Sequence, residues 1–183
     1  MKTSLFALPL ALGMGLAATS AFAADGRINF TGNINSATCP IEIVNPDSGN
    51  VSNLVSLGWV DSTDFKGINT VAGERAFQMR VTPGSACVLD PAKLDATITF
   101  NSVYGGGGNH YGLKPTGTPA KGVAVAIKDA SGSFIENGDT SVIYQLDETN
   151  PTLMDFTAMY IATAATVIPG PADSDVEFTL HIN

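Results

Sequence analysis

Val176-Glu177-Phe178-Thr179-Leu180-His181-Ile182, close to the end of the 183-residue sequence, alternates apolar and polar residues without a break. Successive side chains of a β-strand point to opposite faces. Val176, Phe178, Leu180 and Ile182 therefore share one face, and Glu177, Thr179 and His181 the other. A second run, Arg27 to Asn35, has the same form, with Ile28, Phe30, Gly32 and Ile34 set against Arg27, Asn29, Thr31, Asn33 and Asn35. Chain ends are commonly frayed and polar, and once residues 1–23 are removed as a leader, as argued below, these two runs are the ends of the mature chain, so each needs a covering surface. Leaving Val176, Phe178, Leu180 and Ile182 in water would forgo about 1.5–3 kcal/mol per side chain, a total comparable to the stability of a whole domain. A strand of the same chain, or one from a partner, has to cover that row.

Between these runs the two-residue period persists, and no stretch of a dozen residues holds a clean helical period. Val51 to Val60, with the only tryptophan, Trp59, reads as a strand. Phe77, Met79 and Val81 alternate toward Cys87, and Ala96, Ile98 and Phe100 alternate next. Val123, Val125 and Ile127 lead through Asp129-Ala130-Ser131-Gly132 to Phe134 and Ile135, which reads as a hairpin. Val142 to Leu146 makes a short strand, and Phe156, Ala158, Tyr160 and Ala162 alternate before Pro169-Gly170-Pro171. Short strands separated by Gly, Pro, Asn and Asp turns predict an all-β sandwich.

Composition narrows the function. The formal charge is −8, from 9 basic and 17 acidic residues, which argues against nucleic acid because such partners need clustered cations. Hydrophobic residues make up 44% and charged residues 14%, enough for a core. Two Cys and two His are too few for a structural zinc site of the usual four-ligand kind. Met1 to Ser4 carry one positive charge, Leu5 to Leu16 is apolar, and Ala21-Phe22-Ala23 has the A-x-A form, so residues 1–23 read as a secretory signal peptide. The apolar stretch is well short of the roughly 20 residues a membrane span needs.

The remaining motifs favour bland readings. Gly105 to Gly108 lacks the strand, helix and acidic partner of a dinucleotide site and reads as a surface loop. His110 in that loop and His181 on a polar strand face read as solvated. Asp173 and Asp175 read as the solvated start of a strand rather than a calcium site. No G-x-S-x-G and no H-E-x-x-H occurs, and no nucleophile, base and orienting acid can be assembled, so neither a catalytic site, a metal site nor a cofactor is expected. The competing class is a secreted, monomeric carbohydrate-binding β-sandwich in which Trp59, Tyr104 and Tyr111 offer stacking surfaces.

Taken in order, these segments resemble a chaperone/usher pilin, a subunit of bacterial surface fimbriae. The resemblance rests on Ile28-Asn29-Phe30-Thr31-Gly32-Asn33-Ile34 followed by Ala37-Thr38-Cys39, on Leu57-Gly58-Trp59-Val60 as a second strand, and on Phe77-Gln78-Met79-Arg80-Val81 before Cys87. Gly122 to Asp129 and Phe156 to Tyr160 are similar to later strands of that family, and Gly170, the fourteenth residue counting back from Asn183, is similar to its C-terminal zipper glycine. Two features depart from the family pattern: Ile182 stands where an aromatic residue is usual, and Thr82 to Ala86 makes a longer, more turn-like approach to Cys87.

The resemblance implies an immunoglobulin-like sandwich lacking its last strand. Residues 24–36 would be a donor extension and 37–183 the pilin domain. Ile28, Phe30, Gly32 and Ile34 would be donor residues, and Val176, Phe178, Leu180 and Ile182 would line the acceptor groove. It further implies a periplasmic chaperone that fills the groove first, an outer-membrane usher where the exchange occurs, and neighbouring pilin subunits as final partners, in a fimbria at the cell surface that contributes to adhesion. Strand addition of this kind draws affinity from backbone hydrogen bonds and fit from alternate side chains. Each subunit gives and receives, so the contact is heterologous and the filament open.

Export to an oxidising compartment makes Cys39 and Cys87 a disulfide by default. Exported protein is expected to carry this one intramolecular bridge. Intact-mass measurement with and without reductant checks it, and two alkylatable thiols in the native protein would exclude the pairing.

Overall fold

The computed structural model describes residues 39–183. The signal peptide expected over 1–23 and the donor extension expected over 24–36 lie outside the described residues.

Among the described residues nine strands follow in order: β1 (Ile41–Val44), β2 (Val71–Val81), β3 (Asp95–Ser102), β4 (Gly106–Gly107), β5 (His110–Tyr111), β6 (Val123–Asp129), β7 (Tyr144–Gln145), β8 (Thr152–Ala162) and β9 (Val176–Ile182). They form two antiparallel sheets, one ordered β1-β2-β8-β6-β5-β4 and the other β7-β3-β9. The alternating residues of the sequence supply the layer between them: Phe77, Met79 and Val81 from β2, Ala96, Ile98 and Phe100 from β3, Val125 and Ile127 from β6, and Met154, Phe156 and Ala158 from β8 are all buried. Phe156 joins the layers. It stacks on Phe77 of its own sheet at 5.4 Å, and meets Phe100 edge-on at 5.3 Å and Tyr144 at 5.4 Å on the other sheet, arrangements that add to the burial of area.

Cys39 and Cys87 form the expected disulfide, with their Cα atoms 4.3 Å apart. It ties the residues before β1 to those after β2. The turn-like approach to Cys87 is a tight bridge in which Gly84 and Cys87 exchange backbone hydrogen bonds.

Two expectations are overturned. Val51 to Val60, Leu57-Gly58-Trp59-Val60 included, is not a strand: Val51 makes one bridge to Val44, and the rest of the segment is irregular. Gly58 has φ 74°, a left-handed conformation outside the extended range of a regular strand. It reverses the alternation, so Leu57 is buried and Trp59 exposed. The second element is instead β2, which carries a bulge between Ala72 and Arg75. The glycine loop is also not a plain surface loop, because β4 and β5 form a small hairpin that packs Tyr111 into the core and buries His110 Nε2 without a hydrogen-bond partner among the described residues.

At the end of β6, Asp129 holds the following turn. Its carboxylate accepts from the Ser131 hydroxyl at 2.6 Å, from the Ser131 N–H at 3.0 Å and from the Val142 N–H at 3.0 Å. Burial pushes this carboxyl up, but those hydrogen bonds outweigh it and hold its pKa below the ordinary 3.8. A carboxylate with a depressed folded pKa contributes stability above its unfolded pKa and loses it as pH falls through the folded value. Asp129→Ala should cost about 1–3 kcal/mol at neutral pH, since it removes one acceptor from several part-buried donors. It should also flatten the loss of stability below pH 3.8. Urea denaturation at pH 7 and pH 3 measures both.

Candidate functional site

Strand β9 is an edge. It pairs with β3 from Ser102↔Val176 to Ala96↔Ile182, and no strand among the described residues takes its other side. Asn183 and Asp95 exchange both backbone hydrogen bonds, at 2.9 and 3.2 Å. In an antiparallel pair such residues alternate with ones that do not bond to the partner, so Glu177, Thr179 and His181 turn their N–H and C=O groups toward β3. Val176, Phe178, Leu180 and Ile182 turn theirs to the open edge. These are the same four residues that form the apolar row.

Their side chains are half-buried and pack against the core. Beside the strand opens a cleft of about 580 Å³. Val176 and Phe178 line one wall, and Asn53 to Gly58, the segment that pairs with no strand, lines the other. Phe77, Met79, Phe100, Val125 and Ile127 contribute its apolar base. The floor is therefore hydrophobic and one border is a backbone whose donors and acceptors are unused among the described residues, which is the condition for accepting an added strand. At the Val176 end, Tyr104 donates its hydroxyl proton to Asp175, and Lys114 Nζ lies 3.4 Å from the same carboxylate. The hydrogen bonds to Asp175 push both the Tyr104 phenol and the Lys114 ammonium up.

The structure puts Val176, Phe178, Leu180 and Ile182 on one face of β9, packed against the core, and Val176 and Phe178 line the cleft. Ile28, Phe30, Gly32 and Ile34 lie outside the described residues. Gly170 sits before β9, where the chain crosses residues 118–120. A Cβ on it would stand 2.6 Å from Ala120 N, 2.7 Å from Thr118 O and 2.8 Å from Pro119 C, so only glycine allows the approach. Tyr111 is buried and offers no stacking face, which removes one member of the aromatic set expected for a sugar. His181 is exposed and bonds the Thr99 hydroxyl at 3.0 Å. The sequence reading missed the wall formed by Asn53 to Gly58 and the contacts of Asp175. The first has no periodicity to detect, and the second joins residues far apart in the chain.

Comparison with known proteins fits this geometry. A family model described as fimbrial protein matches residues 28–183. The chain belongs to the fimbrial protein family. It is 32% identical to long polar fimbria protein A of Salmonella typhimurium over 186 aligned positions, which cover 98% of this chain and 96% of that protein. Among solved structures it is similar to a Burkholderia pseudomallei antigen and type I fimbria protein, with TM-score 0.56 and 26% identity over 78% of this chain and 96% of the other. The P pilus rod subunit shares the fold, with TM-score 0.56 and 16% identity over 80% of this chain and 100% of that one. The fold is thus the immunoglobulin-like sandwich of fimbrial subunits, and the protein is a structural subunit of a cell-surface fimbria.

In this fimbrial subunit the crossing at Gly170 sets where β9 begins. Gly170→Val forces two backbone segments apart and should destabilise the subunit by about 1–3 kcal/mol, the usual cost of overpacking. A lowered urea midpoint with circular dichroism of the remaining folded protein unchanged is the expected result.

Proposed function

We propose that the subunit is exported under the direction of residues 1–23 and polymerises by strand exchange. In this reading, residues 24–36 of one subunit enter the cleft of the next, so that Ile28, Phe30, Gly32 and Ile34 complete the sandwich along Val176, Phe178, Leu180 and Ile182. The observation that carries it is the edge of β9, where backbone groups unpaired among the described residues and an apolar row belong to the same four residues. A periplasmic chaperone covers this edge until the outer-membrane usher, because an exposed edge over an apolar cleft associates indiscriminately. The resulting contact is heterologous and makes an open filament. Gly32 serves where the donor backbone passes closest to the groove. Gly170 serves by fixing the entry to β9.

The monomeric sugar-binding reading keeps Trp59 but loses Tyr111 to the core, and it gives the open edge no role.

A peptide copying Asp25 to Ser36 should raise the thermal unfolding midpoint of the subunit purified without chaperone, because it binds only the folded form. Replacing Gly32 of the peptide by Phe should weaken the effect, and Phe178→Asp in the subunit should abolish it. Deleting residues 24–35 should leave a subunit that folds with its chaperone yet forms no filaments by itself. A monomer stable alone and indifferent to the peptide would refute strand exchange.

A further inference from the structure

Trp59, the only tryptophan of the chain, is fully exposed, with a relative accessibility of 105%. Its backbone is nonetheless held in place. Gly58 on one side has φ 74°, and the adjoining residues press on the β2 bulge so closely that a Cβ on Gly73 would lie 2.7 Å from Val60 Cγ2 and 3.2 Å from Leu57 O. Trp59 borders a second cleft of about 590 Å³, lined also by Val60, Phe65, Val167 and Pro171. That cleft shares Gly58, Tyr160, Ala172 and Asp173 with the cleft beside β9, so the two are continuous at the Val176 end of the strand. A fixed, exposed indole at the edge of an apolar cleft is the kind of anchor that protein interfaces use.

Its occupant follows from chain length, on the strand-exchange reading proposed above. Antiparallel pairing sets all four apolar donor residues against all four acceptors in one register: Ile28 opposite Ile182, Phe30 opposite Leu180, Gly32 opposite Phe178, and Ile34 opposite Val176. That register also gives the bulkiest acceptor side chain the smallest donor. The donor then leaves the groove at Val176, and the five residues from Asn35 to Cys39 can span at most about 18 Å. The Cys39–Cys87 bridge of the donating subunit is thereby tethered beside the Trp59 cleft. Next to that bridge, Val88 is 77% exposed. We infer that the Trp59 cleft is a second interface between successive subunits, and that it takes the disulfide end of the subunit whose strand fills the groove, with Val88 against the indole.

The single tryptophan makes the inference readable by fluorescence. Trp59 emission and acrylamide quenching are compared in the isolated subunit, in the subunit with the Asp25–Ser36 peptide, and in assembled fimbriae of the full chain. Red-shifted, readily quenched emission is expected in the first two, and blue-shifted emission with quenching reduced severalfold in the fimbriae. Val88→Glu, or the milder Val88→Ser if the former does not assemble, should restore quenching while filaments still form. Equal quenching in wild-type fimbriae and isolated subunit would overturn the inference and leave strand exchange standing. Shielding by the peptide alone would also overturn it, since the donor segment rather than the neighbouring domain would then fill the cleft. A peptide that neither stabilises the subunit nor alters Trp59 would defeat the strand-exchange reading itself, and this inference with it.

Discussion

The described part of this subunit is arranged around a strand with one partner too few among the described residues. Strand β9 bonds to β3 through Glu177, Thr179 and His181, and the intervening residues offer both their backbone groups and their apolar side chains to a border that no other described strand fills. A complete sandwich would satisfy both at once, because in an antiparallel ladder the residues that bond across an edge are directly opposite each other and share a face. The rest of the fold keeps that border in place. Phe156, in contact with Phe77, Phe100 and Tyr144, fixes the spacing of the two sheets, and the backbone crossing at Gly170 sets where the last strand starts.

The price of such an edge is specificity that has to come from elsewhere. A bare apolar cleft accepts any hydrophobic strand, so discrimination rests on shape along the row and on what lies at its ends. The Val176 end is the more elaborated one, with Tyr104 hydrogen-bonded and Lys114 ion-paired to Asp175 and the Trp59 cleft opening next to them. On the strand-exchange reading proposed above, a donor would be read first by alternation and then by the domain that it brings with it.

Much of this was legible in the sequence, and the failures have identifiable causes. Strict alternation marked β2, β3, β6, β8 and β9, because each buries one face against the opposite sheet and water enforces the pattern. The Asp129–Gly132 turn was legible for a similar reason: its residues hydrogen-bond locally. Val51 to Val60 misled because its apolar residues satisfy a cleft wall and an exposed surface rather than a ladder. The one residue that reverses the pattern, Gly58, has no side chain to declare it. Tyr111 was misplaced because a two-residue strand, His110–Tyr111, is too short to show any period. Asp175 and its partners were invisible because their contacts join distant parts of the chain.

The position of the disulfide has a mechanical consequence. Strand β1 holds β2 by only four residue pairs, Ile41↔Val81 to Val44↔Gln78. Tension applied to the chain ahead of Cys39, as in a filament pulled along its length, would load those pairs one after another from the end, the direction in which a ladder peels most easily. The Cys39–Cys87 bond reroutes the load. Force entering at Cys39 passes covalently to the segment after β2, a strand flanked by β1 and β8 and paired with β8 over nine positions. The short first strand is bypassed, and the pull is borne by the interior of the sheet.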